Sequence, residues 1–254
     1  VGLKPSRAQV RRLREVYRSA GWPCQDTLEL ELLALGWLTR ERDAEGRERL
    51  RLSDAGIAAA AVGLADNRAR RDAHETLVRR TVDELLRAGR VAWTGLNLRA
   101  GLAPEGPASP APAAAFPGLP LWDEALPVAA PRRRWVLCEP DVFSLRPSSR
   151  VDALDVAIHE IKVSRADLLG ELRRPAKSAA YAALCAQAWF VLKAGIAELD
   201  EIPPGFGVWW AHPTHFELAR AAPQRPHAPD LATWLALARA RPCEPPSDGA
   251  QQRL

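Results

Sequence analysis

Apolar positions recur at helical spacing over residues 7–20, where Val10, Leu13, Val16 and Tyr17 share one face and arginines occupy the other. Gly21-Trp22-Pro23 stops that segment. Asp26 or Thr27 can cap a second helix through Leu28, Leu30, Leu32, Leu33 and Leu35, which ends at Gly36. Trp37-Leu38-Thr39-Arg40 and Glu48–Leu52 read as two strands joined by the turn Asp43-Ala44-Glu45-Gly46. Ser53-Asp54-Ala55-Gly56 opens an alanine-rich helix over 55–65, and Asp66-Asn67 leaves open whether it breaks or runs on. From His74 to Ala88 a helical pattern puts Val78, Val82, Leu85 and Leu86 on one face.

After Gly89 the pattern shortens to strand length. Val91–Leu98 predicts a strand, and residues 103–131, dominated by Pro and Ala, predict a long irregular insertion with Trp122 as an anchor. Trp135–Cys138, Val142–Leu145 and Ala153–Val163 follow as strands, the last apolar enough for the centre of a sheet. Ser164-Arg165-Ala166-Asp167 matches a capping box that starts a helix carrying Leu168, Leu169 and Leu172. Pro175 interrupts it, and Ala176–Cys185 resumes as a helix. Strands are expected at Ala188–Leu192, Gly207–Ala211 and Phe216–Ala219, then a helix near 230–240 and a disordered tail.

Composition narrows the classes. The 254 residues suffice for two domains, and no apolar run nears the ~18 residues that a membrane span needs. Val1–Gln9 lacks an apolar core, so no signal peptide is expected, no membrane partner is inferred, and the expected location is cytoplasmic. Cys24, Cys138, Cys185 and Cys243 form no Cys-x-x-Cys pair, which argues against a zinc knuckle or a disulfide framework. The net charge of +4 is written almost entirely in arginine, with clusters at 68–71, 79–80, 132–134 and 173–174. Arginine suits phosphate, so a nucleic-acid partner is reasonable. A GC-rich coding bias accounts for much of that count, and it makes the four lysines (Lys4, Lys162, Lys177 and Lys193) stand out.

Two of these features carry chemistry. Pro140-Asp141 precedes one strand, and Glu160-Ile161-Lys162 closes an apolar run nineteen residues further on. Side chains repeat every two residues in a strand, so Glu160 and Lys162 share a face that Asp141 on a neighbouring strand can meet. Two carboxylates and a fixed ammonium are what a metal-dependent phosphodiesterase needs. Glu75 lies at the azimuth of Val78, Val82 and Leu86, where an acid fits either a site or the favourable dipole of a first turn. Asp141 as a turn cap and Glu160–Lys162 as a plain same-face ion pair remain alternatives. Asp155 and His159 fall on the face opposite Glu160, Asp152 belongs in a turn, and His212-Pro-Thr-His215 has ligand-like spacing without a third ligand.

Residues 6–62, with helices, a charged hairpin and Leu-Ser-x-x-Gly, resemble the winged helix-turn-helix domains of bacterial regulators. That resemblance implies that the helix near 26–35 and the hairpin near 40–50 face DNA. Glu29, Glu31, Glu41, Asp43, Glu45 and Glu48 make both elements acidic, so DNA contact and docking of a partner protein both stay open. Residues 72–195 resemble the PD-(D/E)xK, restriction-endonuclease-like, superfamily. The run Glu160-Ile-Lys-Val-Ser-Arg-Ala-Asp167, followed by Lys177, Tyr181, Cys185 and Trp189-Phe190-Val191, is similar to the MmcB-related DNA repair family.

These resemblances imply an α/β (α+β) chain: a winged helix domain over 1–65, a nuclease-like core over 66–225 with a mixed central sheet flanked by helices, and a C-terminal helix and tail over 226–254. They imply a DNA nuclease in which Asp141, Glu160, the Ile161 carbonyl and Glu75 hold Mg²⁺ or Mn²⁺. Lys162 orients the attacking water or stabilises developing charge. Lys177, Tyr181, Arg165 and Arg173 face the substrate. Such nucleases often pair, so a homodimer is compatible. A non-catalytic DNA-binding regulator or adaptor built on a degenerate nuclease scaffold is the alternative.

Overall fold

The computed structural model describes residues 4–102, 134–150 and 154–245. The insertion expected over 103–131, with Trp122, the turn around Asp152 and the tail beyond 245 lie outside the described residues. The chain is mixed α and β and divides into two compact units, 1–73 and 74–254.

In the first unit, helix α1 (Arg7–Arg18) starts at Ser6, whose hydroxyl accepts from the Gln9 N–H in a capping box. Helix α2 (Thr27–Ala34) is capped by Asp26, which also takes a forked pair of hydrogen bonds from Arg12 at 2.6 and 3.3 Å. Strands β1 (Leu38–Arg42) and β2 (Glu48–Leu52) form an antiparallel hairpin around Gly46, at φ 78°. Leu13, Val16, Leu32, Trp37, Leu38 and Leu50 fill the core. Glu29 is wholly buried: its carboxylate accepts from the N–H groups of Cys24 and Gln25 and from Arg40. It therefore does not add to the acidity of the outer face of α2, because backbone donors at the turn before the helix capture it.

Helix α3 (Asp54–Arg87) runs through Asp66-Asn67 without interruption, and the division between the units falls inside it. No proline or buried cap intervenes to stop it. Gly56 and Gly63 mark close approaches. A Cβ at 56 would collide with the Trp37 carbonyl, and one at 63 with the Val10 side chain.

The second unit is built on a six-stranded sheet. Strands β3 (Val91–Trp93), β6 (Val142–Arg146), β7 (Asp155–Lys162), β8 (Gln187–Lys193), β9 (Gly207–Ala211) and β10 (Phe216–Arg220) lie in the order β10-β9-β8-β7-β6-β3. The three central strands are parallel and their outer neighbours antiparallel. Strands β4 (Leu98–Leu102) and β5 (Arg134–Cys138) form a separate antiparallel pair. The single strand expected over 91–98 is thus two strands in two sheets. Gly95, at φ 69°, turns the chain between them. Helix α4 (Arg165–Leu172) begins at its Ser164 cap, α5 (Pro175–Leu184) has proline in its first turn, and α6 (Leu231–Arg239) is capped by Asp230.

The sheet is covered on both faces. Leu77, Val82 and Leu85 of α3 pack with Ile161 and Val191, while Tyr181 and Leu184 of α5 pack with Phe143, Ile158 and Phe190. At the start of β7, buried Arg90 donates to Asp155 Oδ2 at 2.6 Å and to the Ser144 hydroxyl at 3.0 Å. Asp155 is thereby committed to the opposite end of β7 from Glu160.

His159 is buried between Trp189, stacked at 6.3 Å, and Trp209 at 5.9 Å. Burial, reinforced by the Arg90 charge, lowers its pKa to about 3. The unfolded chain takes up a proton near 6.5 that the folded chain refuses, so stability is present above that value and falls as the pH drops from it towards 3. Urea denaturation should show the effect: His159→Leu is expected to lose about 2 kcal/mol less stability than wild type between pH 6.5 and 4.5.

Candidate active site

The register of β6 against β7 pairs Val142 with His159, which sets Asp141, one residue earlier, beside the end of β7. The Ile161 N–H donates to Asp141 Oδ2 at 2.8 Å. Lys162 lies between the two acids, its Nζ 2.7 Å from Glu160 Oε2 and 3.8 Å from Asp141 Oδ2. The Glu160 side chain is 3% exposed and that of Lys162 11%. Asp141, Glu160 and Lys162 are therefore gathered at one place.

Helices complete the cluster. Lys177 of α5 reaches Glu171 of α4 at 2.9 Å and Glu160 at 3.5 Å, and its ammonium sits 5.0 Å from the centre of the Tyr181 ring one turn on. Tyr181 is buried and donates its hydroxyl to the Glu139 carbonyl at 3.3 Å. From α3, His74 Nε2 lies 3.3 Å from Asp141 Oδ1. A continuous chain of charge thus runs His74, Asp141, Lys162, Glu160, Lys177, Glu171.

Burial alone would neutralise Lys162, but Glu160 and Asp141 outweigh it and hold its pKa above the ordinary lysine value. Burial likewise opposes the Asp141 anion, and His74 and Lys162 keep its pKa low nonetheless. The hydrogen bond to Asp141 raises the pKa of His74 against burial. Burial, then the Glu160 charge, drives that of Tyr181 upward. One atom is left over: Glu160 Oε1 is buried and has no hydrogen-bond partner. A cavity of about 740 Å³ opens beside the cluster, lined by His74, Glu75, Asp83, Glu139 and Asp141 among others.

The remaining predicted residues separate. Glu75 lines that cavity, but no hydrogen bond or ion pair joins it to Asp141 or Glu160; one position earlier on the helix, His74 makes that contact. Ile161 meets Asp141 through its N–H. Arg165 is engaged by Glu201 at 2.6 Å and by the Ile196 carbonyl, so its charge is spent at the turn Leu199–Glu201. Arg173 is exposed at the end of α4 without a side-chain partner among the described residues. His212 and His215 stack on each other, and His212 meets Glu217. Among the described residues, no group of three or more His, Cys, Asp or Glu side chains is arranged to hold an ion.

Sequence reasoning missed His74 and Glu171. Glu171 carried a usable signal: it shares the buried face of α4 with Leu168, three residues earlier, as an acid among apolar positions. His74 had none beyond its neighbour Glu75.

No family model and no curated protein matches the chain. A solved structure is similar: SPO1766, a protein of unknown function from Silicibacter pomeroyi. The match has a TM-score of 0.39 at 16% identity, over 64% of this chain and 80% of that one. Function therefore has to be read from the side chains.

Lys177 bridges Glu171 and Glu160, and removing one member of a half-buried network leaves the others uncompensated. Lys177→Met should lower unfolding stability by about 3 kcal/mol. Adding Glu171→Gln should return about 1 kcal/mol or more of it, measured as a coupling energy in a double-mutant cycle by urea denaturation.

Proposed function

We propose that this protein is a metal-dependent DNA nuclease of the PD-(D/E)xK type, acting in repair, processing or defence in the cytoplasm. In this reading the N-terminal unit is a winged helix domain and the core over 66–225 is restriction-endonuclease-like. The observation that carries the reading is the unpartnered, buried Oε1 of Glu160, next to Lys162 and across from Asp141. A buried carboxylate oxygen without a hydrogen bond, beside a second acid, is a candidate ligand position. The Glu160-Ile-Lys-Val-Ser-Arg-Ala-Asp167 run and the cavity at Asp141 support it.

These residues fit Mg²⁺ or Mn²⁺, with Asp141 and Glu160 as the carboxylates that would hold it. The cation would supply an acidified water and neutralise charge on a phosphate oxygen. The chain supplies the rest. The Ile161 N–H and His74 fix the orientation of Asp141. Lys162, protonated over the whole neutral range, presents a fixed positive charge where the pentacovalent phosphate becomes more negative. Lys177, 3.5 Å from Oε2, holds the Glu160 side chain from the helix side. Arg173, exposed and without a side-chain partner among the described residues, and Arg79, which lines the cavity, would meet substrate phosphates.

One observation favours the second reading, a DNA-binding regulator or adaptor on a degenerate scaffold. Both Asp141 oxygens already have donors, His74 at Oδ1 and Ile161 N–H at Oδ2. Cleavage decides between them. Duplex and single-stranded DNA should be cut in Mg²⁺ and spared in EDTA, and Glu160→Ala or Lys162→Ala should each lower the rate about 100-fold or more. Cleavage that survives both substitutions would overturn this site, and no cleavage of either substrate would leave only the regulator reading.

A further inference from the structure

In the hairpin five arginines are interleaved with four acids, and α2 carries Glu29 and Glu31 without a base, so the first unit has a better surface for a phosphate backbone elsewhere. Arg7, Arg11, Arg14 and Arg18 recur at steps of four, three and four along α1, which places them on one face over about 16 Å at 1.5 Å per residue. Because Val10 sits directly against Gly63, α1 lies close on the first half of α3. Arg68 and Arg71 of α3 then form the opposite wall. A cavity of about 760 Å³ is lined by Arg14, Arg68, Arg71 and Asn67, and an adjoining one of about 400 Å³ by Arg7, Arg11, Arg14 and Arg70. Of the two acids there, Asp66 is tied to Lys4 at 2.8 Å.

Partnering separates this groove from the hairpin. Arg40, Arg47, Arg49 and Arg51 each meet a carboxylate: Glu29, Asp43 with Glu45, Asp43, and Glu41 respectively. Among the described residues Arg14, Arg18, Arg68 and Arg71 meet none. Coding bias explains how many arginines there are; it does not explain why Arg14, Arg18, Arg68 and Arg71 lack acids among the described residues, although Arg11 of the same face meets Glu15 and Arg42 of the hairpin meets none.

We propose that the first unit binds duplex DNA through the groove between α1 and the first half of α3, by its backbone phosphates and without reading sequence. A guanidinium fork matches a phosphate, and two rows of cations a groove apart follow a line of phosphates better than they fit an isolated anion. This docking needs neither Glu160 nor a metal, so it stands or falls separately from cleavage. An apolar stretch beside Arg14 and Arg18, floored by Leu13, Ile57 and Leu64, offers the rival occupant, an acidic amphipathic peptide.

Fluorescence anisotropy of the full chain with a labelled 20-base-pair duplex, in EDTA and across a potassium chloride series, tests the proposal. Wild type should bind with log K falling steeply in log salt. Arg14→Glu with Arg68→Glu and Arg71→Glu should weaken binding at least tenfold and flatten the slope by about 2–3, at roughly 0.9 per phosphate contact. The same three positions changed to lysine should stay within about threefold of wild type, which separates lost charge from lost fold. Arg42→Glu with Arg51→Glu on the hairpin should change affinity less than about twofold. The proposal is overturned if the groove reversal binds like wild type, if the lysine variant falls as far as the reversal, or if the hairpin variant carries the loss. It is equally overturned if wild type ignores the duplex at low salt while binding a labelled acidic amphipathic peptide. Groove-dependent binding without any cleavage in Mg²⁺ would leave it standing and remove the nuclease reading instead.

Discussion

The Lys162 ammonium, held 2.7 Å from Glu160 and 3.8 Å from Asp141 at the end of the central strand, is the interaction on which the second unit's site depends. Three charges within so small a volume are costly to bury singly, and each is tolerable only because the others are present. That mutual dependence fixes the ends of β6 and β7 relative to each other and aims both acids into one space. The sheet supplies the rest of the constraint. Asp141 can receive the Ile161 N–H only because the antiparallel register brings residue 142 opposite 159.

Around that triad the helices trim the electrostatics without closing the site. Lys177 and Glu171 add a second ion pair on the α5 side, and His74 adds a donor on the α3 side. Counted together, three carboxylates face two ammonium groups, with His74 in a position to gain a proton. Both ammonium groups meet Glu160 at Oε2, and its Oε1 is the atom of the cluster without a hydrogen-bond partner. Buried oxygens of a purely structural ion-pair network are usually satisfied, although Asp155 Oδ1 beside Arg90 is not. A site that accepts a cation would leave one over.

Much of this was legible in the chain. The two-residue spacing of Glu160 and Lys162 places them together in any strand, and the apolar run before them belongs at the centre of a sheet. Ser164 and Pro175 mark where helices begin because a hydroxyl cap and a missing N–H are local properties. What was not legible depended on long-range partners. Whether Val91–Leu98 formed one strand or two turned on which neighbours each half would find, and Gly95 alone does not reveal that. Glu29 looked like an exposed acid of α2 because its captors, the N–H groups of Cys24 and Gln25, are visible only in three dimensions. His74 and Glu75 differ by a single step of about 100° on a helix, and the helix phase that chooses between them is set by packing on the sheet. Arg165 seemed free until the turn at Glu201 folded over it.

The central claim is that Glu160 Oε1 and Asp141 form a cation site braced by Lys162. Titration of the full chain with Mn²⁺, followed by the loss of the free-ion paramagnetic resonance signal, addresses it without any substrate. One Mn²⁺ per chain should bind, Mg²⁺ should displace it, and Glu160→Gln should abolish the uptake at a temperature where circular dichroism shows the variant still folded. Uptake that is absent in wild type, or unchanged in Glu160→Gln, would contradict the account.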